Sequence, residues 1–87
     1  MDLRTLRYFT TVARERNITR AAEKLNMSQP PLSHQIRCLE EELGVQLFIR
    51  GKRRLELTDD GALLLRRANQ ILELTEKTAQ EMRERKN

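Results

Sequence analysis

Apolar side chains first recur at Leu3, Leu6, Phe9, Val12 and Ala13, a spacing of three or four that lines one face of a helix. The pattern predicts an amphipathic helix over roughly residues 2–16, which Asn17 interrupts. Thr19 reads as the N-cap of a short second helix with Ala21, Ala22 and Leu25, the two alanines being small enough for another helix to cross close by. Asn26 suits a left-handed stop after about two turns. The pattern restarts at Ser28-Gln29-Pro30-Pro31, and proline is tolerated in a first turn, where N–H groups have no intrahelical partner. Leu32, Ile36, Leu39 and Leu43 then follow at i, i+4, i+7 and i+11 as a core stripe, and Gly44 ends the helix.

Beyond Gly44 the period changes. LFIR and LELT flank a glycine-led basic turn, GKRR, and read as two short strands of a β-hairpin over about residues 46–57. Thr58 caps a last helix with Asp59 and Asp60 in its first turn, where the helix dipole favours acids. No Gly or Pro occurs after Gly61, and the remaining stretch makes a helix of roughly 40 Å. Helix, short turn and helix with alanines at the crossing is a helix-turn-helix, here near residues 18–37. The expected fold is mainly α: a winged helix-turn-helix of three helices and a two-stranded wing (residues 1–58), then a long linker or dimerisation helix (residues 59–87).

Composition narrows the function. The 87 residues make one small domain, and with 3% aromatics its core must be aliphatic. Seventeen Lys and Arg against thirteen Asp and Glu leave a net charge of +4, too even a balance to name a polyanionic partner without knowing where the bases sit. Cys38 is the lone cysteine, so no internal disulfide can form. The opening MDLRTLRYF is not a signal peptide, and no run approaches the roughly 20 apolar residues of a membrane span. A cytoplasmic protein without membrane contact is expected. His34 and Cys38 stand at i, i+4, but no second His or Cys completes a metal site. GKRR lacks the second glycine and following helix of a phosphate loop, and no nucleophile–base pair or carboxylate dyad occurs. No enzymatic activity, metal or cofactor is expected in this domain.

The bases are distributed unevenly. Helical geometry puts Pro30, Ser33, His34, Arg37 and Glu41 opposite the core stripe of the third helix. Gln29, Ser33, His34 and Arg37 occupy its N-terminal half, and Glu40-Glu41-Glu42 crowd the other end, where phosphate would be repelled. Only the N-terminal half can approach DNA, as in recognition helices that enter the major groove N-terminus first. Gln29 can read a base edge, Ser33 and His34 can bond base or phosphate, and Pro30 and Pro31 offer apolar contacts to a thymine methyl. Ser28 has little backbone to cap, so its hydroxyl is free for a phosphate, for which Thr19 and Arg37 are further candidates. Arg50, Lys52, Arg53 and Arg54 fall within five residues at the hairpin tip with no acid among them, as expected of a wing on phosphates or in the minor groove. A protein-binding winged helix would show an apolar recognition face, and a single-strand binder would show exposed aromatics; neither pattern occurs.

The stretch from Leu3 to Gly61 resembles the N-terminal domain of LysR-type transcriptional regulators, carried by AAEKL, SQPPLS, QI, LEEELGVQLF and LT-x-x-G in order. It is similar in particular to the QPPLS branch, which includes regulators of aromatic-compound degradation. The resemblance implies base and phosphate contacts from Gln29, Pro30, Pro31, Ser33 and His34 and from the wing near Arg53. His34 departs from the arginine that many members carry, and it cannot make arginine's bidentate grip. The resemblance also implies a C-terminal α/β domain for a small inducer. The chain stops in RERKN about where a hinge would begin, so a fragment of a longer protein is expected.

In the last helix Leu64, Ala68, Ile71, Thr75, Thr78 and Met82 alternate by four and three, widened by Leu65, Leu72 and Ala79. Leu63 to Ala68 are expected to cover the winged domain. Ile71, Leu72, Thr75, Ala79 and Met82 are left for a second subunit, giving a homodimer on an interrupted palindrome of double-stranded DNA, with a tetramer as the further option for a full-length protein.

Overall fold

The computed structural model describes residues 1–51 and 53–86. The order of elements is α1 (Leu3–Glu15), α2 (Ile18–Lys24), α3 (Gln29–Leu43), β1 (Phe48–Ile49), β2 (Glu56–Leu57) and α4 (Asp59–Arg85). The strands pair antiparallel, Phe48 opposite Leu57 and Ile49 opposite Glu56. This is the expected winged helix-turn-helix with a long helix behind it.

The helix boundaries are set by side chains that satisfy free backbone groups. Asp2 accepts from the N–H of Thr5 at 2.8 Å and from its hydroxyl at 2.7 Å, which holds the Asp2 carboxyl below its ordinary range. Arg16 ends α1 in the left-handed region at φ 55°. Asn17, not Thr19, caps α2, its Oδ1 accepting from Arg20 N–H at 2.9 Å. Thr19 lies inside the first turn, exposed. Asn26 at φ 55° and Gly44 at φ 70° are the left-handed stops that the sequence suggests. Thr58 caps α4 as expected, accepting from Gly61 N–H at 2.9 Å.

Leu6, Phe9 and Val12 of α1 meet Ala21 and Ala22 of α2, Leu32, Ile36 and Leu39 of α3, and Leu47 and Phe48 of the wing in one buried core. The rings of Phe9 and Phe48 lie 5.5 Å apart at 50°, a tilted pair that fastens α1 to the wing. Leu43, expected on the core stripe, is exposed; Glu40 takes the buried position in that last turn.

Helix α4 joins the core at its start. Gly61 is buried, and a Cβ there would stand 2.1 Å from the Leu47 carbonyl oxygen, so only glycine lets the helix approach. Ala68 is fully buried, while Leu64, Leu65 and Leu72 pack half-buried against the core. Leu63, expected to cover the winged domain, points outward instead. Every described residue from Lys77 to Lys86 is exposed, and the molecule reaches 52 Å in its long dimension.

Candidate nucleic-acid interface

The N-terminal half of α3 forms a polar outward face. Gln29, Pro30, Pro31, His34 and Arg37 are exposed and Ser33 is half-buried. Among the described residues its polar groups bond along their own helix: Gln29 Nε2 donates to Ser33 Oγ at 3.2 Å, and His34 Nε2 lies 3.4 Å from Cys38 Sγ. Such contacts are weak enough to be exchanged for a ligand's. Ser28 precedes the helix in extended conformation with its hydroxyl making no capping bond, because the prolines behind it offer no N–H. Thr19 and Ser28 are both exposed. Cys38 is an exposed thiol.

The wing has a root and a tip of different character. Arg53 and Arg54 are exposed at the tip and have no hydrogen-bond or ion-pair partner among the described residues; Lys52 lies outside the described residues. Arg50 does not belong with them. Its two terminal nitrogens close on Glu40, Nη1 to Oε2 at 3.2 Å and Nη2 to Oε1 at 2.9 Å. The sequence shows no acid within the basic run, but the fold brings one up from α3. Arg50 is thus a paired cation at the wing root, with 40% of its side chain exposed against 10% for Glu40.

Glu40 also accepts from the N–H of Leu47 at 2.7 Å and of Phe48 at 3.4 Å. Burial pushes its carboxyl up, but the Arg50 hydrogen bonds, the Leu47 N–H, the Arg50 charge and the Phe48 N–H outweigh that, and the net direction is down. Just before β2 Leu55 N–H donates to the Arg16 carbonyl at 3.1 Å, and Arg16 Nε donates to the Leu55 carbonyl at 3.2 Å. Neither Glu40 nor Arg16 stands out in the sequence as a wing support. Glu40 does sit four residues after Ile36, on the core stripe, and a charge at such a position is the signal that could have found it.

Two faces of α4 must be separated. Leu72, expected in a subunit seam, packs against its own chain's core; Thr75 is half-buried and turns its hydroxyl to the Ile71 carbonyl at 2.9 Å. Ala79 is exposed in the continuation of that face. The unpartnered apolar stripe lies about a quarter-turn away: Leu63, Ile71, Leu74 and Met82 are 43%, 38%, 63% and 57% exposed. The heptad-like spacing does not single out Leu63 or Leu74 for that stripe.

A short helix laid across a second, with a β-hairpin beside it and a polar outward face on the second helix, defines a winged helix-turn-helix protein. Residues 3–62 match the family described as "Bacterial regulatory helix-turn-helix protein, lysR family". The chain belongs to this LysR family. It is 61% identical over 72 residues to the probable cat1 operon transcriptional activator of Acinetobacter lwoffii, covering 83% of this chain and 24% of the relative. With the transcriptional regulator BsdA of Bacillus subtilis it shares 53% over 87 residues, covering 99% of this chain and 30% of the relative. It therefore spans 24% and 30% of the length of these two relatives, which are named as regulators of transcription and not as enzymes. Among solved structures, the BenM DNA-binding domain with catB site 1 DNA superposes at a TM-score of 0.94 and 43% identity, over 97% of this chain and 94% of that one. The CbnR DNA-binding domain–DNA complex superposes at 0.94 and 40% identity over the whole of both chains.

Proposed function

We propose that this chain is the double-stranded-DNA-binding module of a LysR-type transcription regulator. It acts as a homodimer, with α3 in the major groove and the basic wing tip on phosphates or in the minor groove. The observation that carries the reading is the face of α3, where Gln29, Ser33, His34 and Arg37 stand together with no hydrogen-bond or ion-pair partner outside their own helix among the described residues. Gln29, Pro30, Pro31, Ser33 and His34 are the proposed base contacts, and Thr19, Ser28, Arg37, Lys52, Arg53 and Arg54 the proposed phosphate contacts. The BenM and CbnR complexes support it by their likeness. Ile71, Leu74 and Met82 are the proposed seam between two copies. The full-length protein would carry an inducer-binding domain and assemble further as a dimer or tetramer. It would work in the cytoplasm, where its DNA is. No described helix is long and apolar enough to cross a membrane.

The test is selection of bound duplexes from a random pool. An enriched interrupted palindrome is expected, and Gln29→Ala should weaken binding to it by about 1–3 kcal/mol while changing random-duplex binding far less. No enrichment, or equal losses on both duplexes, would contradict the reading.

A further inference from the structure

Among the described residues Glu40 is the one buried charged side chain. Its carboxylate reaches three parts of the wing root: Leu47 N–H, Phe48 N–H and the fork of Arg50. The same Leu47 residue turns its carbonyl the other way, accepting from Thr58 N–H at 3.0 Å and lying against Gly61, where α4 begins. Reading helix, wing and α4 are therefore tied together at Leu47. The two strands are only two residues each, and so short a hairpin cannot hold an orientation by its own ladder. Something outside the hairpin must aim it.

We infer that Glu40 and Arg50 are positioning residues for DNA binding: they fix the wing tip relative to the reading face of α3, and Arg50 is not itself a phosphate ligand. The inference rests on the proposed DNA-binding function and deepens it. Both terminal nitrogens of Arg50 are already closed on a carboxylate in a two-bonded pair, the arrangement by which guanidinium fixes geometry. Lysine carries the charge without the fork. Glutamine at position 40 keeps one oxygen for Leu47 but turns an NH2 donor toward a guanidinium that also only donates.

Positioning and simple charge predict opposite results. Removing a carboxylate near DNA lowers repulsion, so on charge alone Glu40→Gln binds more tightly. As a positioning residue its loss weakens binding. On charge alone Arg50→Lys retains affinity; for a strut it falls as far as Arg50→Gln. The experiment titrates the duplex selected by the unmutated chain with Glu40→Gln, Arg50→Lys, Arg50→Gln and the double variant Glu40→Gln/Arg50→Gln. It is run where circular dichroism shows each to be folded, with a hydroxyl-radical footprint of each complex. Expected is a loss of about tenfold in each single variant, no greater loss in the double variant because both act through one contact, and flanking wing protection that fades while half-site protection by α3 persists. Tighter binding by Glu40→Gln, or unmutated affinity in Arg50→Lys, overturns the inference. A uniform fading of all protections with the folded fraction overturns it too, in favour of stability alone. If the unmutated chain selects no duplex, the DNA-binding reading falls, and this inference with it.

Discussion

In the winged head, Phe9, Leu32, Ile36, Leu47 and Phe48 are at most 1% exposed, whereas on the far half of α4 Leu74 and Met82 stand 63% and 57% exposed. Both regions are patterned with aliphatic residues at helical spacing. They differ in what lies opposite. The head closes its apolar faces on one another, so its shape follows from this chain alone. Beyond Glu76, which meets Arg7 of α1, the described residues of α4 are all exposed, and the outer apolar stripe of the helix is left for another surface. The charges divide the same way. Glu40 and Arg50 have each other, while Arg53 and Arg54 face solvent. Partnered groups build the scaffold, and unpartnered ones are left for something else to meet.

That contrast breaks most readily where α4 leaves the head. Alanine in a helix is ordinarily better than glycine by about 1 kcal/mol. At Gly61 the added Cβ would overlap the Leu47 carbonyl, and Gly61→Ala should instead destabilise by about 3 kcal/mol or more. Thermal unfolding followed by circular dichroism checks this; an unchanged midpoint would mean that α4 is not packed on the wing root.

Glu40→Ala leaves Leu47 N–H and Arg50 unpaired, a loss of about 2–3 kcal/mol in urea unfolding at pH 7. The folded carboxyl lies below its ordinary value of 4.5. Its contribution is therefore complete above that value and disappears as pH falls through the lower folded value. The stability gap between the chain and Glu40→Gln should be constant at neutral pH and narrow as acidification passes below the ordinary carboxylate range. A gap that grows on acidification would contradict the sign of the shift.

Leu72 and Leu74 are two residues apart on α4 and fall on opposite sides of the contrast. Leu72→Asp should lower the unfolding midpoint, because it puts a carboxylate against the core. Leu74→Asp should change monomer stability by no more than about 0.5 kcal/mol, yet shift sedimentation from dimer toward monomer. A Leu74→Asp chain that stays dimeric would move the seam elsewhere. The smallest stability effect belongs to the wing tip. Arg53→Ala with Arg54→Ala should leave unfolding unchanged while flattening the salt dependence of duplex binding by about 0.9 in slope for each phosphate left without its arginine.

Much of the fold is legible in the residues because local rules and packing agree. The Asn26 and Gly44 stops, the Thr58 cap and the alanine crossing at Ala21 and Ala22 each follow from one residue's backbone preference or size. Thr19 misleads because Asn17, two residues earlier, is an equally good cap, and the longer helix prevails. The acidic run at 40–42 reads as a solvated face, since nothing local says that a strand will arrive over Glu40 and bring two N–H groups with it. The Glu40–Arg50 pair is hidden for the same reason: the two residues are ten apart and become neighbours only once the wing folds back. On α4 the heptad-like spacing merges two stripes about a quarter-turn apart. Which one the head claims depends on where Gly61 lets the helix land.

On the proposed function, two copies of this chain, joined along the outer stripe of α4, read one duplex. Fluorescence anisotropy at fixed salt can compare the selected palindrome with the same duplex carrying one scrambled half, with the mass of the complex measured alongside. Two chains per duplex and at least about 100-fold tighter binding to the intact palindrome are predicted, since a linked second site adds that much without new contacts. One chain per duplex with equal affinity for both would contradict the account.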